Sequence, residues 1–432
     1  MGLRRLDLRG FSGDRRELAD RLPRPVDVQV RSSEAVAAIL ADVRATGDEA
    51  LRRLTATFDK VELDSLRVPA EELTAALARI PADLAEALDV AHDRILAYHA
   101  HESGDAPNDF TNAGVKVRHL IRPVARAGCY APGGRARYPS TVLMCAVPAH
   151  VAGVEEIVLC VPPGPDGRID DATLAAAAVA GVTEVYSVGG AQAIAAMAYG
   201  TESIAAVDVI VGPGNRYVAE AKRQVSGVVG VASAFAGPSE VVVIGGPDTP
   251  PEFAAIDLVV QAEHGPDGLA WLITWSEELI DLVDAAVDRI VADSPRRADL
   301  EETLGAGGYA VLVDNPKQAC AVANVVAPEH LEILTPDAVS LLGNIQSAGA
   351  VFLGVNAPAS VGDYLAGPNH VLPTNRTARF ASALRVDDFR KHIHAVSMSD
   401  EAVRSLGPHV VTLATTEGLP AHAQSVQLRW QQ

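Results

Sequence analysis

The feature that most constrains this chain is a run of alternating strand-like and helix-like segments through its middle and second half. VEEIVLCV reads as a buried strand followed by the turn PPGPDGRID, DATLAAAAVAG as a helix, TEVYSV as a strand, GGAQAIAAMAYG as a helix, VDVIV as a strand and GPGNRYVAEAKRQV as a helix. The pattern resumes with SEVVVIGG, EFAAIDLVVQAEHG, LAWLITW, EELIDLVDAAVDRIV, YAVLVD, KQACAVANVV and AVFLGV. Strands separated by helices of this length form right-handed βαβ units and parallel sheets. The fold class is therefore α/β. At 432 residues the chain exceeds one ordinary core, so two α/β domains are expected instead of one very wide sheet.

Before the alternation, residues 33–58 and 71–102 carry apolar residues at helical spacing. The division expected is an N-terminal arm over 1–30, a first α/β domain from 31–129 and 236–380, a second from 130–235, and a small C-terminal tail domain over 381–432.

Charge excludes one class of partner. A net charge of −19 with no basic stripe argues against nucleic acid. The opening MGLRRLDLRG lacks the apolar core of a signal peptide, and DATLAAAAVAGV is too short to span a bilayer. No membrane partner is expected, and the cytoplasm is the expected compartment. Among four cysteines there is no C-x-x-C pair. Cys160 and Cys320 read as core; Cys129, in AGCYAPGG, is placed in a loop where a nucleophile would be useful.

SVGGAQA and VGPGNRYV each set glycines between a strand and a helix. Backbone amides at such helix starts bind phosphate; the plainer reading is a tight turn. Four carboxylate–histidine clusters follow: QAEHG, PEHLEIL (Glu329, His330), GDYLAGPNHVLPT (Asp363, His370) and TEGLPAHAQS (Glu417, His422). Histidine with carboxylate or amide oxygens suits zinc or another borderline divalent metal. Gln261 and His264 stand three apart at a helix end, so one helix face presents both. By contrast His392 and His394 in KHIHAVS, and His99 and His101 in AYHAHESGD, read as solvated.

GCYAPGG, YPSTVLM, GGAQAIAA, GPGN-x-YV, AGPSE, QAEHGPD, PEHLE, GDY-x-x-GPNHVLPT and EGL-x-AH occur in this order. Together they resemble histidinol dehydrogenase, from about Arg31 to His422. The resemblance implies two incomplete Rossmann-like parallel-sheet domains with small terminal pieces, and a homodimer with shared active sites. It implies oxidation of L-histidinol to L-histidine with two NAD+ and one zinc per subunit. Carried over residue by residue, it implies Gln261, His264, Asp363 and His422 as zinc ligands, and Glu329 and His330 as the acid–base pair. It further implies Ser239, His370 and Glu417 as substrate contacts, with Gln261, His264, His330, Asp363 and His422 lining the same pocket, and Tyr130, Gln192 and Asn215 as NAD contacts. A zinc hydrolase would use the same metal and Glu without nicotinamide, and a two-lobed binding protein would need no adjacent Glu-His pair.

Overall fold

The computed structural model describes residues 2–23, 33–104, 109–133, 137–182, 184–232, 239–263, 265 and 268–430. Two six-stranded sheets carry the chain. In the first the strand order is Arg4–Asp7, Gly308–Leu312, Leu269–Thr274, Glu240–Gly245, His330–Ile333 and Ala350–Leu353, every pair parallel. In the second it is Arg67–Val68, Glu184–Ser187, Glu156–Val161, Arg126–Tyr130, Val209–Val211 and Gly230–Val231. Only the two-residue edge strand Arg67–Val68 runs antiparallel. The expected mixed α/β architecture with two parallel-sheet domains is what forms.

Helices cover both faces, so the central strands are buried throughout and mostly apolar; Glu240–Gly245 and Arg126–Tyr130 each begin with a buried charged residue. Local signals set the helix starts. Asp170, Asn215, Ser276 and Asn315 each accept backbone N–H bonds as N-caps. The helix Pro139–Ala152 is buried continuously from Thr141 to Ala149, which explains a sequence apolar on all sides. Each fully buried leucine or valine in such a core contributes about 1.5–3 kcal/mol relative to an exposed one.

The division differs from the expected one in one large respect. Residues 33–102 do not join the first sheet. Their leucines and valines, such as Val36, Leu51, Leu73 and Leu88, pack into the cores around the second sheet, and Arg67–Val68 extends that sheet. The N-terminal arm, by contrast, supplies an edge strand of the first sheet by pairing with Gly308–Leu312. The periodicity that marks a helix does not say which sheet it will cover. The tail also reaches back: Arg390–Met398 pairs antiparallel with Val115–Pro123, which in turn pairs with Phe110–Asn112. Two tail helices, Asp400–Thr416 and Pro420–Trp430, follow this small sheet. Among the described residues no helix is long and apolar enough to cross a membrane.

Candidate active site

In each large sheet the chain first moves outward in one direction and then returns to the other side of its starting strand. The reversal falls between Arg126–Tyr130 and Val209–Val211 in one sheet, and between Glu240–Gly245 and His330–Ile333 in the other. Crevices at such reversals are where open α/β sheets hold ligands.

At the carboxyl ends of the second sheet, Tyr130 is buried with its phenol oxygen accepting from the Gly190 amide at 3.1 Å. Burial pushes its phenol up to about 12. Gly190 has φ +65°, and a Cβ there would meet the Gln192 amide, so Tyr130 and Gln192 converge on the start of the helix Gly190–Tyr199. Asn215 caps the helix Arg216–Val225 through the Tyr217 and Val218 amides, at 3.0 and 3.2 Å. In the same loop Gly212 has φ +104°, and a side chain there would collide with the Tyr130 carbonyl. The two glycine loops thus lie on either side of the Arg126–Tyr130 strand, and Tyr130 touches both.

The second constellation lies at the amino ends of the first sheet, the edge opposite to the one the reversal rule favours. The helix Pro251–Ala262 runs antiparallel to its strands, so its last turn brings Gln261 to this edge. Gln261, Glu329 and His330 are all nearly or fully buried. The Gln261 amide nitrogen donates to Glu329 Oε2 at 3.4 Å, which leaves the amide oxygen as the atom able to bind a cation. The same Glu329 oxygen accepts from the Glu240 amide at 3.1 Å, and the Ser239 hydroxyl also donates to this carboxylate. His330 Nδ1 lies 3.7 Å from Glu329, and Nε2 lies 3.2 Å from Asp363 Oδ1. His370 Nδ1 bonds the Asp363 carbonyl at 2.7 Å, and its Nε2 lies 3.3 Å from Thr141 Oγ1 on a helix of the other domain. His370 therefore ties the two sheet domains at the site, and Asn369 adds a bond to the Met144 carbonyl at 2.6 Å.

Burial pushes the Glu329 carboxyl up to about 7, opposed by the neighbouring imidazole. Burial alone would lower the His330 imidazole, but the carboxylates of Glu329 and Asp363 outweigh it and raise it. Each group thus shifts the other: the imidazole opposes the rise of the Glu329 carboxyl, and the Glu329 carboxylate raises the imidazole.

The structure brings together Ser239, Gln261, Glu329, His330, Asp363 and His370. His264 lies outside the described residues. Glu417 and His422 are exposed in the tail. No set of three His, Cys, Asp or Glu among the described residues is arranged to hold a metal. The donors that one chain does converge, an amide oxygen and a carboxylate beside an imidazole, have the chemistry of a borderline divalent ion, and they fit as part of such a site.

Cys129 is corrected. It lies in the strand Arg126–Tyr130, not in a loop; it is fully buried, and burial pushes its thiol well up, so it is no nucleophile. His99 is likewise buried, its Nδ1 2.9 Å from the Ile95 carbonyl, not solvated. The sequence reading also passed over Glu240, Asp257 and Glu332, three buried acids around the site. Their signal was available: a Glu inside HLEIL, and one opening the apolar run EVVVIG, are anomalies in buried strands.

A family model for histidinol dehydrogenase matches residues 22–430. A histidinol dehydrogenase of Gluconobacter oxydans is 47% identical over 400 residues, 92% of this chain and 92% of that protein. One of Thermosynechococcus vestitus is 48% identical over 398 residues, 92% of each chain. The crystal structure of histidinol dehydrogenase from Elizabethkingia anophelis superposes with a TM-score of 0.93 at 35% identity, covering 99% of this chain and 98% of that one. The site's pairing of a buried Glu-His couple with amide and carboxylate oxygens thus sits in a chain that belongs to the histidinol dehydrogenase family.

Proposed function

We propose that this protein oxidises L-histidinol through L-histidinaldehyde to L-histidine, in two successive NAD+-linked steps at one zinc-containing site. This would be the last step of histidine biosynthesis, carried out in the cytoplasm by a homodimer whose sites are each built from both chains. The observation that carries the reading is the buried chain Gln261–Glu329–His330–Asp363, in which oxygen donors for a cation adjoin a pair suited to moving protons.

Gln261, His264, Asp363 and His422 would hold the metal, the last lent by the partner's tail. Tyr130, Gln192 and Asn215 would contact NAD. The chemistry supplied by the two groups when bound is hydride acceptance by NAD+ and, by zinc, Lewis-acid orientation of the substrate's imidazole and amine. A neutral amide in place of a further carboxylate keeps the site less anionic, which favours those neutral nitrogens. The protein's own work is proton management. His330 takes the alcohol proton, and Asp363 stabilises the imidazolium that results. Glu329, with a carboxyl raised to about 7, is matched to remove a proton from the water that adds to the aldehyde. Ser239 beside Glu329, with His370 and Glu417, would contact the substrate.

The test is stoichiometry. Purified protein with histidinol and NAD+ should yield about two NADH per histidinol consumed, as a four-electron oxidation requires. A ratio near one with aldehyde accumulating would sink the two-step reading, and no NADH at all would sink the dehydrogenase.

A further inference from the structure

Behind the Glu329–His330 pair lies a second pair of acids that the proposed mechanism leaves unused. Asp257 precedes Gln261 by four residues on the helix Pro251–Ala262, so both leave the same helix face. Glu332 follows His330 by two on the strand His330–Ile333, so those two share a sheet face. Asp257 and Glu332 are both buried, Glu332 completely.

Glu332 touches two helices. Its Oε1 accepts from the Ala359 amide at 2.9 Å, the first residue of the helix Ala359–Tyr364. Asp363 lies one turn further along that helix. The other oxygen, Oε2, is buried and receives no N–H or O–H bond from the ordinary donors around it. The Asp257 carboxyl lies at hydrogen-bond range of the Glu332 carboxyl. Two buried carboxylates in contact repel strongly when both are ionised. A single proton between them turns the repulsion into a charge-assisted hydrogen bond.

The Asp363 helix needs such a tether. It has six residues and buries only Ala359, while Val361 and Tyr364 are exposed. A helix this short has little stability of its own. Its placement therefore depends on polar attachments, and one of these, His330 to Asp363, must adjust if Asp363 turns toward a cation.

We propose that Asp257 and Glu332 share one proton in a carboxyl–carboxylate hydrogen bond and act as positioning residues, clamping the Gln261 helix and the Asp363 helix to the His330 strand so that their oxygen atoms face one cation. Burial, reinforced by Asp257, pushes the Glu332 carboxyl up to about 9, so the proton stays in place at neutral pH. This inference rests on the metal site proposed above.

The test measures zinc affinity by competition with a chromogenic chelator, together with thermal unfolding of the metal-free protein. Glu332→Gln keeps both attachments, since its amide oxygen accepts from Ala359 and its amide nitrogen donates to Asp257. It should bind zinc within roughly threefold of wild type. Glu332→Leu, and the double variant Asp257→Leu/Glu332→Leu, lose the clamp and should bind zinc about 10- to 100-fold more weakly, the usual effect of removing an outer support of a metal ligand. The double variant should melt no lower than wild type, because apolar groups of similar volume replace a buried acid pair at little cost. If Glu332→Leu does not fold, Asp257→Asn against Asp257→Leu makes the same comparison from the helix side. Wild-type zinc affinity in the Leu variants would overturn the clamp, as would a tenfold loss in Glu332→Gln. A fall in melting temperature that parallels the zinc loss would reduce the pair to a merely structural role. Asp363→Asn separates the two ideas. A wild type holding no zinc that this change removes would sink the metal site itself, whereas zinc lost in Asp363→Asn but retained in the Leu variants would sink only the clamp.

Discussion

The Glu240 backbone amide donates to the Glu329 carboxylate at 3.1 Å, while the Glu240 side chain is itself buried beside it. Burial first, and the Glu329 charge second, push the Glu240 carboxyl up to about 8. Two acids at the amino ends of adjacent strands thus compete for the same limited solvation.

This makes stability depend on pH. A raised carboxyl binds its proton more tightly in the folded chain than in the unfolded one. The contribution is fully present below the unfolded value near 4.5 and is lost as pH rises through the folded value near 8. Metal-free protein should therefore be more stable at pH 5 than at pH 9 by a few kcal/mol. Glu240→Gln should flatten that slope in urea titrations at fixed ionic strength. An equally steep slope in the variant would place the effect on other groups.

His264→Ala removes one of four proposed ligands, so zinc content and activity should fall together, and chelation of wild type should do the same. His392→Ala, on the exposed face of the small sheet, should leave both intact. Full zinc occupancy in His264→Ala would move that ligand elsewhere.

Glu329→Gln should slow oxidation of supplied histidinaldehyde more than oxidation of histidinol, by roughly 10²–10⁴-fold for a lost general base. His330→Ala should impair the alcohol step at least as much. Equal losses in both steps for both variants would mean that the pair works as one unit.

Cys129→Ala should leave kcat unchanged, because the thiol is enclosed in a strand. Its cost should appear only in stability, at about 1 kcal/mol for so small a cavity. A collapse of kcat with unchanged stability would restore the thiol as a nucleophile.

Mixing tests the shared site. His264→Ala and His422→Ala, each inactive alone, should recover roughly a quarter of wild-type activity when refolded together, since half of randomly paired two-fold dimers are mixed and each holds one intact site. A dead mixture that nonetheless contains mixed dimers would put His422 in cis.

The parallel sheets were legible because fully buried strands and amphipathic helices leave different periods in the sequence. The convergence of Gln261, Glu329, His330 and Asp363 was legible because each lies in a multi-residue motif. What stayed hidden was long-range partnership. Val36 and Leu51 show a helical stripe but not which sheet they will meet. Arg4–Asp7 is too short and too charged to announce itself as a strand. Cys129 was misplaced because the glycines that follow it mark a loop, and the strand runs on through Tyr130 before that loop begins at Ala131. Glu332 and Asp257 are single acids in apolar runs, and their meaning comes only from the contact between them.

The edge strand Arg4–Asp7 completes the first sheet by pairing with Gly308–Leu312, and this sets an order on the birth of the molecule. Arg4–Asp7 leaves the ribosome with no partner strand until some 300 further residues have been made, roughly 15 to 60 s at ordinary rates of synthesis. The second sheet, drawn from residues 67–231, can close in that interval. The waiting segment RRLD is three-quarters charged, which protects an unpaired edge from the wrong neighbour. This edge strand is thus among the last strands of its sheet to find a partner, and its charges disfavour pairing with another edge before then.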